Sequence, residues 1–116
     1  MTAATGSDIL YVDRRHRGMG GMRERTVEQH LVKTLDKIGV PCVKFLPDLQ
    51  RGMPDRIILL PGGKEVWVEL KTESGSLSEI QKIRHRWLQQ VGQIVKVVWS
   101  VEEADKLIDE IKSTYL

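Results

Sequence analysis

Three charged side chains near the middle of the chain have the types and the spacing that phosphodiester hydrolysis requires. Asp55 ends a Gly-x-Pro-Asp segment, and Glu69 follows fourteen residues later, two positions before Lys71. Mg²⁺ prefers hard oxygen ligands, usually one or two carboxylates, and it can activate water and neutralise the charge that develops on phosphorus. The lysine could orient the water and counter the charge of the phosphate. We therefore predict metal-dependent phosphodiester chemistry at Asp55, Glu69 and Lys71.

A β-hairpin over residues 56–71 is the element that would bring these side chains together. Two strand-like runs flank a Pro-Gly-Gly-Lys segment, which is typical of a tight turn. If Pro-Gly-Gly forms a three-residue loop, Leu60 pairs with Lys64 and Asp55 falls opposite Glu69. Alternation along the second strand then places both of its charged groups on one face.

Two further oxygen ligands are candidates for the same cation. The backbone carbonyl of Leu70 could bind it if that edge of the strand is unpaired. Glu28, one position from Val27 at the margin of an apolar helical stripe, could add a third carboxylate. The predicted Mg²⁺ ligands are thus Glu28, Asp55, Glu69 and the carbonyl of Leu70.

The segment before the hairpin predicts a helix and a short strand. Residues 24–38 form the helix, which Gly39 ends. Its apolar residues recur at helical spacing and are Val27, Leu31, Leu35 and Ile38. Residues 40–45 form the strand, and Pro41 favours an edge position for it.

The segment after the hairpin predicts a second helix. A capping box with Ser76 as the N-cap and Glu79 at the third helical position opens it, and it runs to about Val91. The residues expected in its buried stripe are Ile80, Ile83, Trp87 and Val91. The residues expected on its polar face are Lys82, His85, Arg86 and Gln89.

A last strand and helix complete the pattern. Residues 94–99 form the strand, and a second capping box, Ser100 with Glu103, opens the helix. The helical positions expected to be buried are Ala104, Leu107, Ile108 and Ile111. The order helix, strand, hairpin, helix, strand, helix predicts an α/β fold with a mixed β-sheet flanked by helices.

Length and composition restrict the class of protein. A chain of 116 residues with 41% apolar content is the size of one domain, which we place at residues 23–116 after a flexible basic leader, residues 1–22. The sequence has no apolar run of membrane-spanning length and no signal-peptide h-region, so we expect a cytoplasmic protein. One cysteine and three histidines do not make a zinc set, and the net charge of +2 does not by itself indicate a DNA-binding protein.

Together these motifs resemble the PD-(D/E)xK nuclease superfamily, and more narrowly its virus-type replication and repair group, VRR-NUC. The similarity covers residues 23–112. A helix acid is matched by Glu28, the Gly-x-Pro-Asp motif by residues 52–55, the Glu-x-Lys motif by residues 69–71, and a glutamine on the following helix by Gln81. The resemblance implies a restriction-endonuclease-like core.

The resemblance also implies an activity. It indicates a Mg²⁺- or Mn²⁺-dependent endonuclease acting on branched DNA, of the minimal phage or prophage type, whose members resemble homodimeric Holliday-junction resolvases. The implied catalytic residues are Glu28, Asp55, Glu69, Lys71 and Gln81. A flap nuclease, a sequence-specific restriction-type nuclease and a non-catalytic DNA-binding module with the same fold remain alternatives.

Basic residues near the motifs are candidates for DNA contacts. Arg51 stands beside the Gly-x-Pro-Asp turn and could touch the DNA backbone near the cut. Lys82, His85 and Arg86 lie on the polar face of the second predicted helix. Such a stripe is often only a solvated helix face, but on a nuclease it is well placed for phosphate contacts.

Overall fold

The computed structural model describes residues 24–45 and 51–116, which form three helices and a four-stranded sheet. In chain order the elements are α1 (Glu24–Lys37), β1 (Cys42–Lys44), β2 (Arg56–Leu60), β3 (Lys64–Leu70), α2 (Glu79–Gln90), β4 (Ile94–Val98) and α3 (Val101–Tyr115). The predicted leader, residues 1–22, lies outside the described residues. None of the described helices is both long and apolar enough to cross a membrane.

The sheet is mixed, as the sequence predicted. Its strand order is β1-β2-β3-β4, with β1, β2 and β3 antiparallel to one another in turn and β4 parallel to β3. The parallel pair requires a crossover connection, and α2 supplies it. β1 lies at an edge of the sheet, which agrees with the proline that precedes it.

The hairpin between β2 and β3 has the predicted register. Leu60 pairs with Lys64 across a three-residue turn, Pro61–Gly63. Gly62 and Gly63 have φ values of 77° and 73°, in the left-handed region that glycine enters without steric cost. The loop length therefore fixed the pairing, because the turn sequence could take the required backbone angles.

The helices cover the two faces of the sheet unequally. α1 and α3 pack together on one face, against the side chains of Val66, Val68 and Leu70 from β3. α2 lies on the other face, where Leu88 packs with Val95 of β4. Because side chains alternate along β3, its remaining side chains, including that of Glu69, lie on the α2 face of the sheet.

The start of α2 differs from the prediction. The N-cap is Ser78 rather than Ser76. The Ser78 hydroxyl accepts a hydrogen bond from the Gln81 backbone N–H at 3.2 Å, and the Gln81 side-chain oxygen accepts from the Ser78 N–H at 2.9 Å. Ser76 precedes Glu79 by three residues and Ser78 precedes Gln81 by three residues, so both pairs match a capping box. The helix uses the second pair.

The buried face of α2 was also predicted wrongly. Its buried residues are His85, Leu88 and Gln89, whereas the exposed fractions of Ile83, Trp87 and Val91 are 51%, 47% and 66%. The helix is rotated so that polar side chains face the sheet, because a buried carboxylate there needs hydrogen-bond partners. The apolar stripe consequently faces outward.

The first and last helices follow the prediction closely. Val27, Leu31 and Leu35 of α1 are fully buried, and the four predicted positions of α3 are buried as well. The Ser100 hydroxyl accepts from the Glu103 N–H, as an N-cap should. In a capping box the Glu103 carboxylate would accept from the N–H of Ser100. It accepts instead from the N–H of Trp99, at 2.9 Å.

Candidate active site

The Asp55 and Glu69 carboxyl groups meet where β2 begins and β3 ends. Arg56 pairs with Val68, so Asp55 stands opposite Glu69. The backbone N–H of Leu70 donates to Asp55 Oδ2 at 2.8 Å, and Asp55 is close enough for its charge to act on the Glu69 carboxyl. The hairpin thus produces the juxtaposition of two carboxyls that the sequence predicted.

The backbone carbonyl of Leu70 points to the same strand edge as its N–H, towards Asp55. Within a strand the N–H and the C=O of one residue point to the same edge, and the Leu70 N–H points to Asp55. The next N–H, that of Lys71, points the other way, to the Val98 carbonyl of β4 at 3.0 Å. Because β2 begins only at Arg56, no β2 residue pairs with this edge at Leu70.

Two side chains of α2 hold the Glu69 carboxyl from the other side. Glu69 is only 2% exposed. His85 Nε2 lies 3.1 Å from its Oε1, and Gln81 Nε2 donates to its Oε2 at 3.2 Å. Each oxygen of this buried carboxyl therefore has a partner on α2, which fixes its orientation. The predicted functional glutamine therefore contacts Glu69, which the sequence predicted as a metal ligand.

The surroundings of Glu69 favour a proton on its carboxyl group. Burial, followed by the charge and the hydrogen bond of Asp55, raises the pKa of Glu69 to about 9 from an ordinary 4.5, although the charge of Lys71 opposes the shift. Two carboxyls in contact cannot both ionise without a counter-charge. A divalent cation in place of that proton would supply one.

His85 does not contact DNA as the sequence predicted. Its side chain is completely buried, and burial, together with the charge of Lys71, lowers its pKa to about 4. The imidazole is therefore neutral, and its contact with Glu69 is a hydrogen bond rather than an ion pair. Its Nδ1 is buried without a partner among the described residues. His85 is thus a positioning residue behind Glu69.

Of the two acids on this side of α1, Glu24 interacts electrostatically with the carboxyl pair, whereas Glu28 is bound by Arg56. Glu28 accepts a hydrogen bond from Arg56 Nε at 2.8 Å. Glu24 stands one turn earlier; partial desolvation and then the charge of Asp55 raise its pKa, and its charge in turn raises the pKa of Glu69. In residues 24–45 and 51–116, no three His, Cys, Asp or Glu side chains form a metal-binding group.

Helical periodicity makes Glu24 as good a candidate as Glu28 for the acid of α1. The two residues are four positions apart and therefore share one helix face. Only the position of Arg56 at the start of β2, where its guanidinium binds Glu28 and the Cys42 carbonyl, decides between the two acids.

Lys71 lies within electrostatic reach of the whole cluster. Its positive charge opposes the rise in the pKa of Glu69 and of Glu24 and contributes to the lowered pKa of His85. The side chain is half-buried and follows directly on β3. This places an ammonium group beside the paired carboxyls, as the spacing of the Glu-x-Lys motif predicted.

An open groove of about 560 Å³ leads to the site, and its lining includes Arg51, Asp55 and Gln81. Gly52 forms part of its wall, with a φ of +85°. A Cβ on Gly52 would lie 2.7 Å from the Ile80 carbonyl oxygen of α2, too close for any side chain. The glycine of the Gly-x-Pro-Asp motif thus lets the loop approach α2 closely beside Asp55.

The other predicted DNA contacts are exposed. Arg51 and Arg86 have exposed side chains, and Lys82 forms a surface ion pair with Glu79 at 3.1 Å, which contributes little to stability. The backbone carbonyl of Arg51 accepts from Arg84 Nε at 3.1 Å. The roles of these residues in DNA binding stay predictions.

Replacing His85 by alanine is expected to destabilise the protein and to disturb Glu69. The change leaves a cavity and removes the partner of a buried oxygen, which together cost about 2–4 kcal/mol in the free energy of unfolding. Urea denaturation checks this, with Arg86→Ala, an exposed neighbour, as the control expected to change it by less than about 0.5 kcal/mol. Equal stability of both variants would contradict the positioning role.

Two comparisons with known proteins agree with this geometry, while no family model matches the chain. The chain is 38% identical over 77 residues to Putative nuclease p44 of Acyrthosiphon pisum secondary endosymbiont phage 1, across 66% of this chain and 83% of that protein. A solved VRR_NUC domain superposes with a TM-score of 0.68 and 29% identity, covering 74% of this chain and 94% of the solved one. The chain belongs to the VRR-NUC family of nucleases.

Proposed function

We propose that this nuclease is a Mg²⁺-dependent endonuclease that cuts branched DNA in the cytoplasm of a bacterial host, and that it acts on four-way junctions as a homodimer. The observation that carries the proposal is the geometry of the hairpin, which places the carboxyls of Asp55 and Glu69 opposite each other, next to the Leu70 backbone and beside an open groove. A buried carboxyl beside a second acid cannot ionise without cost unless a counter-charge is supplied, and groups whose pKa values are perturbed in this way cluster at functional sites.

The donor set of this chain fits Mg²⁺. Asp55 and Glu69 offer two carboxylates and Leu70 offers a carbonyl on the same edge, and Mg²⁺ usually takes one or two carboxylates together with waters and substrate phosphate. Mn²⁺ accepts the same ligands. When bound, the ion supplies an activated water and neutralises charge on the phosphate. Glu24 rather than Glu28 is the candidate for a third acid.

Lys71, Gln81 and His85 would stabilise charge on the substrate and hold Glu69 in position. Lys71 places a positive charge beside the carboxyl pair, where it can orient the attacking water and bind a non-bridging phosphate oxygen. Gln81 and His85 hold the two oxygens of Glu69 in fixed positions. Ligands that are held by neighbours in this way reach the geometry of the reaction without reorganisation.

Two copies of the chain suit a four-way junction. A two-fold axis places two identical sites in symmetric positions, and a junction presents two equivalent strands to be cut. The proposal of a homodimer is supported by the resemblance to minimal stand-alone members of the family.

Cleavage of defined DNA substrates tests the proposal. Labelled four-way junction, flap and linear duplex are incubated with the protein in Mg²⁺, in Mn²⁺ and in excess EDTA. We expect paired cuts in the junction with either metal and no cleavage in EDTA. Equal rates on all three substrates would contradict structure specificity, faster cleavage of the flap would favour a flap nuclease, and cleavage in EDTA would exclude the metal.

Two further measurements complete the test. Light scattering gives the mass of the protein in solution, and a monomer that cuts the junction would contradict the homodimer. Calorimetric titration with Mn²⁺ separates an enzyme from a non-catalytic DNA-binding module, because an inert module has no reason to retain the ion.

A further inference from the structure

An exposed apolar surface on α2 is unexplained by the candidate active site. Ile83, Trp87 and Val91 recur every four residues along the outer side of this helix and are about half exposed or more. We call these three residues the Trp87 face. A tryptophan with this much exposure usually marks a surface that binds something.

The Trp87 face is continuous with the groove of the active site. The Arg84 guanidinium lies over the Trp87 ring, 5.5 Å from its centroid. The Nε of the same arginine donates to the Arg51 backbone carbonyl at 3.1 Å, and Arg51 lines the groove together with Asp55. A strand of nucleic acid that passes from the catalytic pair over Arg51 therefore reaches Trp87 next.

The charges around the Trp87 face favour a polyanion over a second copy of this chain. Arg84 lies over the Trp87 ring, and its Nε contacts the Arg51 backbone. Lys82 and Arg86 are direct sequence neighbours of Ile83 and Trp87 on α2. Glu79 is the only acid on the described length of α2, and it is paired with Lys82. Two such faces would place like charges against one another, whereas a phosphate backbone would neutralise them.

We propose that the Trp87 face binds unpaired bases of the DNA next to the cleavage site, by stacking on the Trp87 ring. This inference rests on the proposed nuclease function, and the feature of the substrate that Trp87 would recognise is an unpaired base. Aromatic side chains flanked by basic residues are the usual platform for single-stranded nucleic acid, because every base has a face that can stack. Flaps have unpaired bases and the base pairs at a junction centre can open, whereas an intact linear duplex keeps its bases paired and stacked inside the helix.

Binding is measured in EDTA, so that no DNA is cut, by fluorescence anisotropy of labelled single strand, four-way junction and linear duplex. Trp87→Ala is expected to weaken binding of the single strand and the junction about tenfold, which is the size of one lost stacking contact, and to leave the linear duplex within about twofold. Trp87→Phe restores most of the affinity. The matched control is Ile38→Ala, an exposed apolar residue beyond α1, with no expected effect.

Tryptophan fluorescence provides a second readout that does not depend on affinity. Stacking of a base on Trp87 is expected to quench the emission of the wild-type protein when unlabelled single strand is added. The quenching is lost in Trp87→Phe, which keeps Trp67 and Trp99. Because Trp87 is exposed, neither substitution is expected to change the melting temperature.

Three outcomes would overturn the inference. Trp87→Ala could bind all three DNAs like the wild type, it could lose affinity for the duplex as much as for the single strand, or it could turn a wild-type dimer into a monomer, which would make the face a subunit interface. Failure of the proposed function is distinguishable, because a protein that cuts no DNA in Mg²⁺ or Mn²⁺ could still show the quenching and the selective loss of affinity.

Discussion

Replacement of Asp55 by asparagine is expected to abolish DNA cleavage and, at the same time, to raise the thermal stability of the metal-free protein. The carboxylate is lost as a ligand, while the asparagine oxygen can still accept the hydrogen bond from the Leu70 N–H. The neutral amide no longer repels Glu69, whose pKa Asp55 raises. We expect a gain on the order of 1 kcal/mol, or several degrees in Tm.

The gain should depend on pH in a defined direction. The folded-state pKa of Glu69 is raised from 4.5 to about 9, so the stability associated with its protonated form is complete below pH 4.5 and is lost as the pH rises towards 9. Removing the Asp55 charge reduces this loss. The difference in Tm between variant and wild type, measured in EDTA, should therefore be smallest near pH 4 and grow towards pH 9.

Asp109→Asn is the matched control for this experiment, because it removes one exposed carboxylate on α3, away from the site. It should change neither the cleavage nor the pH dependence of Tm. Added Mn²⁺ should stabilise the wild type and the control but not Asp55→Asn, since a ligand stabilises only the protein that binds it. An Asp55→Asn variant that still cuts DNA, or that is less stable than the wild type at pH 8, would show that the site is elsewhere.

Replacement of Lys71 by alanine is expected to reduce the rate of cleavage by about 10²–10³-fold, the usual effect of removing one group that stabilises developing charge. Unlike Asp55→Asn, this variant should still bind Mn²⁺ in a calorimetric titration, because the two carboxylates and the Leu70 carbonyl remain. Loss of catalysis with retained metal binding is the signature of a group that acts on the water or the phosphate. Single-turnover cleavage of the junction measures the rate.

Two variants make this result specific for Lys71. Lys106→Ala removes an exposed ammonium from α3 and should cleave at the wild-type rate. Lys71→Arg keeps the charge but changes its shape and reach, so it should recover only part of the activity. A Lys71→Ala variant that cuts at the wild-type rate, or one that no longer binds Mn²⁺, would contradict the assigned role.

The parts of this site that depend on local sequence could be predicted. The Pro-Gly-Gly turn fixes its own length, the length fixes the pairing of Leu60 with Lys64, and strict alternation along β3 then places Glu69 opposite Asp55. Each step involves neighbours in sequence, and a shift of one residue would move every side chain of the strand to the wrong face. For this reason the carboxyl pair and the type of chemistry could be inferred without a structure.

The parts that depend on one element packing against another could not be predicted. α2 has an apolar stripe and a polar stripe of similar length, and hydrophobic periodicity alone assigned the apolar one to the core. The structure buries His85 instead, against Glu69, and leaves Trp87 half exposed. The demand of one buried carboxyl for hydrogen bonds decided the rotation of the helix, and this demand exists only once the strand lies beneath it.

The same distinction separates the two acids of α1. The sequence by itself predicted one acid, Glu28, at the margin of the buried stripe of α1, and a hairpin that presents two carboxyls and an ammonium at one end of a mixed sheet. Only the tertiary structure decided that Arg56 binds Glu28 and that Glu24 lies within electrostatic reach of the pair. Strand pairing and side-chain alternation follow a regular period and can therefore be predicted from a sequence. Contacts between side chains of separate elements depend on how those elements pack, which the period does not specify.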